Sequence, residues 1–188
     1  GLDLVGELKG DGKRVFLDMK FSDIANTVER AVATAANLGV DFLTVHAHDT
    51  KTLKAAVKGR GAAPMKLLGV TVLTSLDRDD LIEQGITGHT PAELVLARAR
   101  LAKAAGFDGV IASGQEAAAV RSATGPDFLI VTPGIRLPGG DAGDQLRITT
   151  PQDALRAGAN HLVVGRPINA ATDPLAAAKR FIAAIAEA

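Results

Sequence analysis

The chain has 188 residues, 47% of them hydrophobic, and its 21 acidic and 21 basic side chains cancel. That is enough for one domain with a sizeable core, it argues against disorder, and it offers no charge-based footing for nucleic acid or an anionic membrane surface. With no Cys, Trp or Tyr, the chain has no disulfides, no thiolate chemistry and no indole or phenol platforms for stacking single strands.

In chain order, residues 1–9 read as an amphipathic helix stopped by Gly10-Asp11-Gly12, and 14–20 as the first clear strand. Residues 24–38 are Ala-rich at helical spacing and end at Gly39. A strand over 41–47 precedes a helix over 50–58 closed by Gly59, and 66–73 is a third strand. A short helix over 77–84 and a longer one over 91–105 follow, the latter with Thr90-Pro91 as N-cap and first helical residue. Residues 109–113 are a strand, 115–122 a helix and 128–132 a strand. A Gly-rich loop then runs over 133–146. Thr150-Pro151 opens a helix ended by Gly158, 161–165 is the sixth strand, and 174–186 the closing helix. Met19 and Met65 read as core filler. No apolar run reaches the roughly 18 residues of a membrane helix. Gly1-Leu2-Asp3-Leu4 lacks the basic start of a signal peptide, so the expected location is cytoplasmic.

The strand-forming runs are continuous rather than alternating, which marks strands covered on both faces, as in a parallel sheet. Six strands alternate with helices and no linker interrupts them, so 1–188 reads as a single α/β domain. An open doubly wound sheet and a (β/α)8 barrel both fit this rhythm. Six strands complete the former, whereas the latter needs eight. Yet residues able to do chemistry end nearly every strand: Lys20, His46, Thr74, Ser113, Pro133 and Arg166. That ring-like spread suits a barrel mouth better than one crevice. The expectation is a (β/α)8 (TIM) barrel that is N-terminally incomplete in these residues, without strand 1 and most of strand 2.

Two segments suit a phosphate. One is Thr132-Pro133-Gly134-Ile135-Arg136, with Gly139, Gly140 and Gly143 behind it; the other is Val164-Gly165-Arg166-Pro167. In a barrel these follow strands 7 and 8, where backbone N–H groups often cradle phosphate, and a guanidinium adds a bidentate charge. Asp18, Lys20 and Asp23 spell D-x-K-x-x-D at the end of the first visible strand. Residues i and i+2 of a strand share a face, so Asp18 and Lys20 project together, with Asp23 just beyond. This set reads either as a structural ion-pair cluster or as proton-delivery machinery. Nearby opposite charges favour an ammonium, which can stabilise and then protonate a carbanion. A carboxylate repels an anionic substrate group by up to about 4 kcal/mol at 4 Å and an effective dielectric of 20. The set therefore suits loss of CO2 followed by proton capture. His46 and His48 have H-x-H spacing, but packing or lining of the mouth is the simpler reading, and no metal is expected. Thr74 and Ser75 can hydrogen-bond a base or sugar, or merely precede a helix; Gln145 can reach a ligand from its loop.

Together these segments resemble orotidine 5′-phosphate decarboxylases of the bacterial kind. Phe16-Leu17-Asp18-Met19-Lys20-Phe21-Ser22-Asp23-Ile24-Ala25-Asn26-Thr27 is similar to that family's F-L-D-x-K-x-x-D-I-x-N-T signature. Val70–Ser75, Val131–Arg136, Ala142-Gly143-Asp144-Gln145 and Val163–Ile168 resemble its later motifs, in order. The resemblance implies a cofactor-free homodimeric (β/α)8 barrel with shared active sites. Its substrate would be a small nucleotide, orotidine monophosphate (OMP), converted to uridine monophosphate (UMP) and CO2 in pyrimidine synthesis. It implies Lys20 as proton donor to C6, Asp18 beside the substrate carboxylate, and Asp23 and Thr27 reaching the partner's ribose. Thr74 and Ser75 would lie by the pyrimidine, and Arg136, Gln145, Gly165 and Arg166 on the phosphate side. The family's strand-1 aspartate and strand-2 lysine would fall before Gly1. The alternatives are a related sugar-phosphate decarboxylase of the same barrel group, or a catalytically silent nucleotide-binding form.

Overall fold

The structure is a computed structural model that describes residues 1–141 and 143–188, so the Ala142 position of the Gly-rich motif lies outside the described residues. The elements alternate along the chain: α1 (Asp3–Gly10), β1 (Phe16–Phe21), α2 (Ala25–Asn37), β2 (Phe42–His46), α3 (Thr50–Arg60) and β3 (Lys66–Val70). There follow α4 (Arg78–Glu83), α5 (Pro91–Ala105), β4 (Gly109–Ile111), α6 (Ala117–Thr124), β5 (Leu129–Thr132), α7 (Pro151–Arg156), β6 (His161–Leu162), α8 (Arg166–Asn169) and α9 (Pro174–Ala186).

The chain folds as two compact units, Gly1–Thr71 with Arg98–Val110, and Val72–Ala97 with Ile111–Ala188. In the first, the strands neighbour one another in the order β1-β2-β3-β4; in the second, which takes the last residue of β4, the order is β4-β5-β6. β1 pairs with β2, β2 with β3, and β5 with β6, all parallel. Among the described residues the strand order within each unit does not reverse, as a doubly wound sheet requires at its switch point. Sequential parallel strands joined by helices are the barrel pattern.

In the first unit, Leu43, Thr44 and Val45 are consecutive and all buried, so both faces of β2 are covered. Val28 and Val32 of α2 and Leu53 and Ala56 of α3 are also fully buried or nearly so, and α2 packs against α3. In the second unit a cluster of Ile135, Ala154, Ala159 and Phe181 packs with Leu137, Leu162, Val164 and Ile168. Helix starts follow local chemistry. Thr90 N donates to Glu93 Oε2 at 2.8 Å, and Thr150 Oγ1 accepts from Asp153 N at 3.1 Å.

Several expectations shift. Four strands stop early, β2 at His46, β3 at Val70, β4 at Ile111 and β6 at Leu162, because an apolar run does not encode where its ladder partner ends. Residues 166–169, for which the sequence suggests no element, form the short helix α8. Met65 is core at 2% exposure, but Met19 is 46% exposed.

Helix α3 does not close at Gly59. It continues to Arg60, and Gly61, at φ +56°, ends it. Gly59 is instead where α3 approaches α2: a Cβ built there would lie 2.2 Å from the Glu29 carbonyl oxygen. Alanine is the better helix former by about 1 kcal/mol. A clash with backbone cannot be relieved by a rotamer change and costs about 1–3 kcal/mol. At 2.2 Å the clash wins. Gly59→Ala should therefore lower the urea midpoint with an unchanged slope, where an unhindered helix site would gain stability.

Candidate active site

At the end of β1 the ladder breaks. Leu17 pairs with Leu43, and the next pair is Phe21 with Val45, so Asp18, Met19 and Lys20 together face Thr44. This bulge re-aims the side chains of the D-x-K-x-x-D run, in place of the plain alternation expected. Lys20 sits at φ +50°, the one non-glycine residue at positive φ among those described. Such a backbone costs about 1–2 kcal/mol for a residue with a Cβ. The Lys20 ammonium pairs with Asp18 Oδ2, and both side chains remain partly open to water. Lys20 N donates to Thr44 Oγ1 at 2.9 Å, and the Thr44 hydroxyl donates to Asp18 Oδ1 at 2.8 Å. Asp23 turns instead toward the start of α2, where its Oδ1 accepts from Ile24 N at 2.7 Å. Thr27 is exposed on the first turn of that helix.

His46 and His48 stack with ring centroids 4.5 Å apart. His46 Nδ1 is buried with no hydrogen-bond partner. Among the described residues no group of three or more His, Asp or Glu gathers as a metal site needs. Loss of water around the ring, with Arg98 and His46 nearby, pushes His48 down to about 4; the same desolvation lowers His46.

The second unit carries the phosphate-side candidates. The Thr74 hydroxyl donates to Gln145 Oε1, and Leu146 N donates to Thr74 O at 3.2 Å. The loop that bears Gln145 is thus pinned to the segment following β3. Ser75 is half-buried beside it. Gly134 is at φ +73°, and a Cβ there would meet Arg147 O at 2.9 Å. Arg166 and Asp144 form an exposed ion pair, and that bond holds the Asp144 carboxyl below the usual carboxylate range. Gly165 precedes α8 with open space where a side chain would be. A cleft of about 450 Å³ is lined by Arg136, Gly139, Gly140, Gly143, Arg166 and Arg180. Arg136 itself is buried, with Nε donating to Asp141 O at 2.6 Å and Nη1 to Ile135 O at 2.9 Å. Those bonds brace its own loop.

A family model described as Orotidine 5'-phosphate decarboxylase / HUMPS family matches residues 1–181. The chain is 53% identical over 191 residues to a protein named orotidine 5'-phosphate decarboxylase from Methylobacterium sp. (strain 4-46), covering 100% of this chain and 80% of the relative. A protein of the same name from Nitrobacter winogradskyi is 54% identical over 194 residues, with the same coverage. The chain belongs to this family. The crystal structure of orotidine 5'-phosphate decarboxylase from Lactobacillus acidophilus matches with a TM-score of 0.83 at 39% identity, over 98% of this chain and 81% of that one. With the family comes the (β/α)8-barrel fold, of which six strands lie among the described residues.

Two residues that hold the candidate site residues in place carry no motif in the sequence. Thr44 lies inside the apolar run 41–47, with nothing in that run to single it out. Arg147, just past the Gly-rich loop, drew no reading from the sequence, and it is buried. Its Nη1 meets Glu116 Oε1 at 2.8 Å, and its Nη2 donates to Leu73 O at 2.8 Å and Val72 O at 3.2 Å. The two side chains are only 10% and 7% exposed. The only sequence hint was an arginine placed directly after Gln145-Leu146.

Removing one partner of a buried pair strands the other charge, at about 3–5 kcal/mol. Arg147→Met should accordingly cost a few kcal/mol by chemical denaturation, far more than Arg14→Met at a largely exposed site. The histidines make a pH prediction. The unfolded chain binds a proton near pH 6.5 that folded His48 refuses until about 4, so stability is full above 6.5 and falls as pH drops toward 4. Urea midpoints at pH 7 and 5 should differ less in His48→Gln than in the parent chain.

Proposed function

We propose that the chain is a carboxy-lyase that converts OMP to UMP and CO2. The observation that carries this reading is the Asp18–Lys20 ion pair at the bulged end of β1, in a chain of this family. When the bond from C6 to the carboxylate breaks, CO2 leaves and its electron pair stays on C6. The Lys20 ammonium gives C6 a proton and becomes an amine, which water re-protonates. Asp18 carries negative charge where the substrate carboxylate would sit, which disfavours the ground state and is relieved as CO2 departs. Thr74 and Ser75 serve the pyrimidine, and Gln145, Gly165 and Arg166 take the phosphate side, with Arg136 shaping its cradle. Phosphate contacts far from C6 supply binding energy to be used at the reacting carbon. No metal or organic cofactor enters the reaction.

The reading extends to a cytoplasmic homodimer with shared active sites, formed of one barrel domain per chain. In support, residues 22–27 are all exposed, with Ile24 at 73% between Asp23 and Thr27. An apolar side chain between two polar ones suits a contact in which Asp23 and Thr27 reach the partner's ribose. No helix among the described residues is long and apolar enough to cross a membrane.

The test follows loss of OMP absorbance by the purified chain with and without EDTA. Turnover should be indifferent to EDTA and fall by roughly 10²–10⁴-fold in Lys20→Ala, the usual worth of a general acid. Unchanged turnover in that variant would refute the proton-donor assignment. Inhibition by EDTA would favour the related sugar-phosphate chemistry, and UMP binding without turnover the silent form.

A further inference from the structure

We infer that Thr44 is a positioning residue for Lys20 and Asp18, an inference that rests on the reaction proposed above. Thr44 lies in the middle of β2, fully buried between Leu43 and Val45, and pairs with Leu68 of β3. On its other side it faces the three residues of the bulge. A bulge withdraws backbone groups from the ladder, and a buried amide left without an acceptor is costly. Here the Lys20 amide finds its acceptor in a side chain, Thr44 Oγ1, at 2.9 Å.

The hydroxyl has one proton. Because the Lys20 N–H already donates to Oγ1, that proton is directed to Asp18 Oδ1, 2.8 Å away. Asp18 Oδ2 in turn accepts from the Lys20 ammonium. The bonds close a ring: Lys20 amide to Thr44, Thr44 to Asp18, Asp18 to the Lys20 ammonium. One buried oxygen thus fixes both the left-handed backbone of Lys20 and the orientation of the carboxylate that holds its ammonium. Unusual backbone conformations persist only where the surroundings over-determine them, and Thr44 supplies that determination. The role needs a group that accepts and donates through a single short side chain. Serine meets this requirement. Valine fills nearly the same volume and does neither.

Thr44→Val and Thr44→Ser distinguish positioning from packing. For Thr44→Val, kcat on OMP should drop roughly 10- to 100-fold while KM stays within about threefold, because the hydroxyl touches the proton donor and not the phosphate side. Thr44→Ser should restore most of kcat. In Thr44→Val the Lys20 amide should exchange with solvent at least about tenfold faster, and the Leu68 amide should be unaffected. Thr44→Ala lacks the hydroxyl without adding bulk, and carries the same test should the valine variant not fold. A parental kcat in the hydroxyl-free variants, with only a lower Tm, would overturn the inference. So would a loss confined to KM. Should the parent chain itself fail to turn over OMP, the proposed reaction falls, and the Lys20 exchange rate alone then decides whether Thr44 holds the bulge.

Discussion

The hydrogen bond from the Lys20 amide to the Thr44 hydroxyl is the constraint on which the candidate chemistry rests. Without it the end of β1 would be an ordinary strand, and Lys20 would have no reason to adopt φ +50°. With it, an unfavourable backbone becomes the geometry that brings an ammonium onto Asp18. The cost is met by β2, whose Leu43, Thr44 and Val45 are buried on both faces and cannot yield. A mobile polar cluster is thereby given the rigidity of the core behind it.

The second unit solves a different problem. The loop between β5 and α7 is long and mostly irregular, and its carbonyls need partners. Arginines supply them from within. Arg136 satisfies Asp141 O and Ile135 O, while Arg147 reaches the carbonyls of Val72 and Leu73 and is balanced by Glu116. The pair is imperfect, since Glu116 Oε2 and Arg147 Nε are buried without partners. Buried ion pairs serve better as registers than as sources of stability. This one fixes where Gln145 and Thr74 meet. The contrast with Arg166 is instructive. Its only tether described is the exposed Asp144, a surface pair worth little and easily exchanged for another anion.

Much of this was legible in the residues because it is local. Glycine stops, Thr-Pro starts and the 3.6-residue period act over a few positions, and α5 and α9 begin and end where their sequences say. The D-x-K-x-x-D run and the two Gly-Arg segments stand out as candidates for chemistry for the same reason. What escaped were contacts made at a distance. Gly59 looked like a helix stop, yet its use is the approach of another helix 30 residues away in the chain. Met19 looked like core, yet it is exposed within the bulge of the edge strand β1.

The sequence alone determined an α/β chain of alternating elements, the ends of α5 and α9, and which charged residues stand as candidates for the chemistry, since these follow from spacing, composition and motif. Tertiary structure alone decided which of those charges meet. Asp18 and not Asp23 pairs with Lys20, because the bulge places three residues of β1 against a single threonine of β2. Register between strands is a property of two segments at once, and nothing in either segment read by itself specifies it.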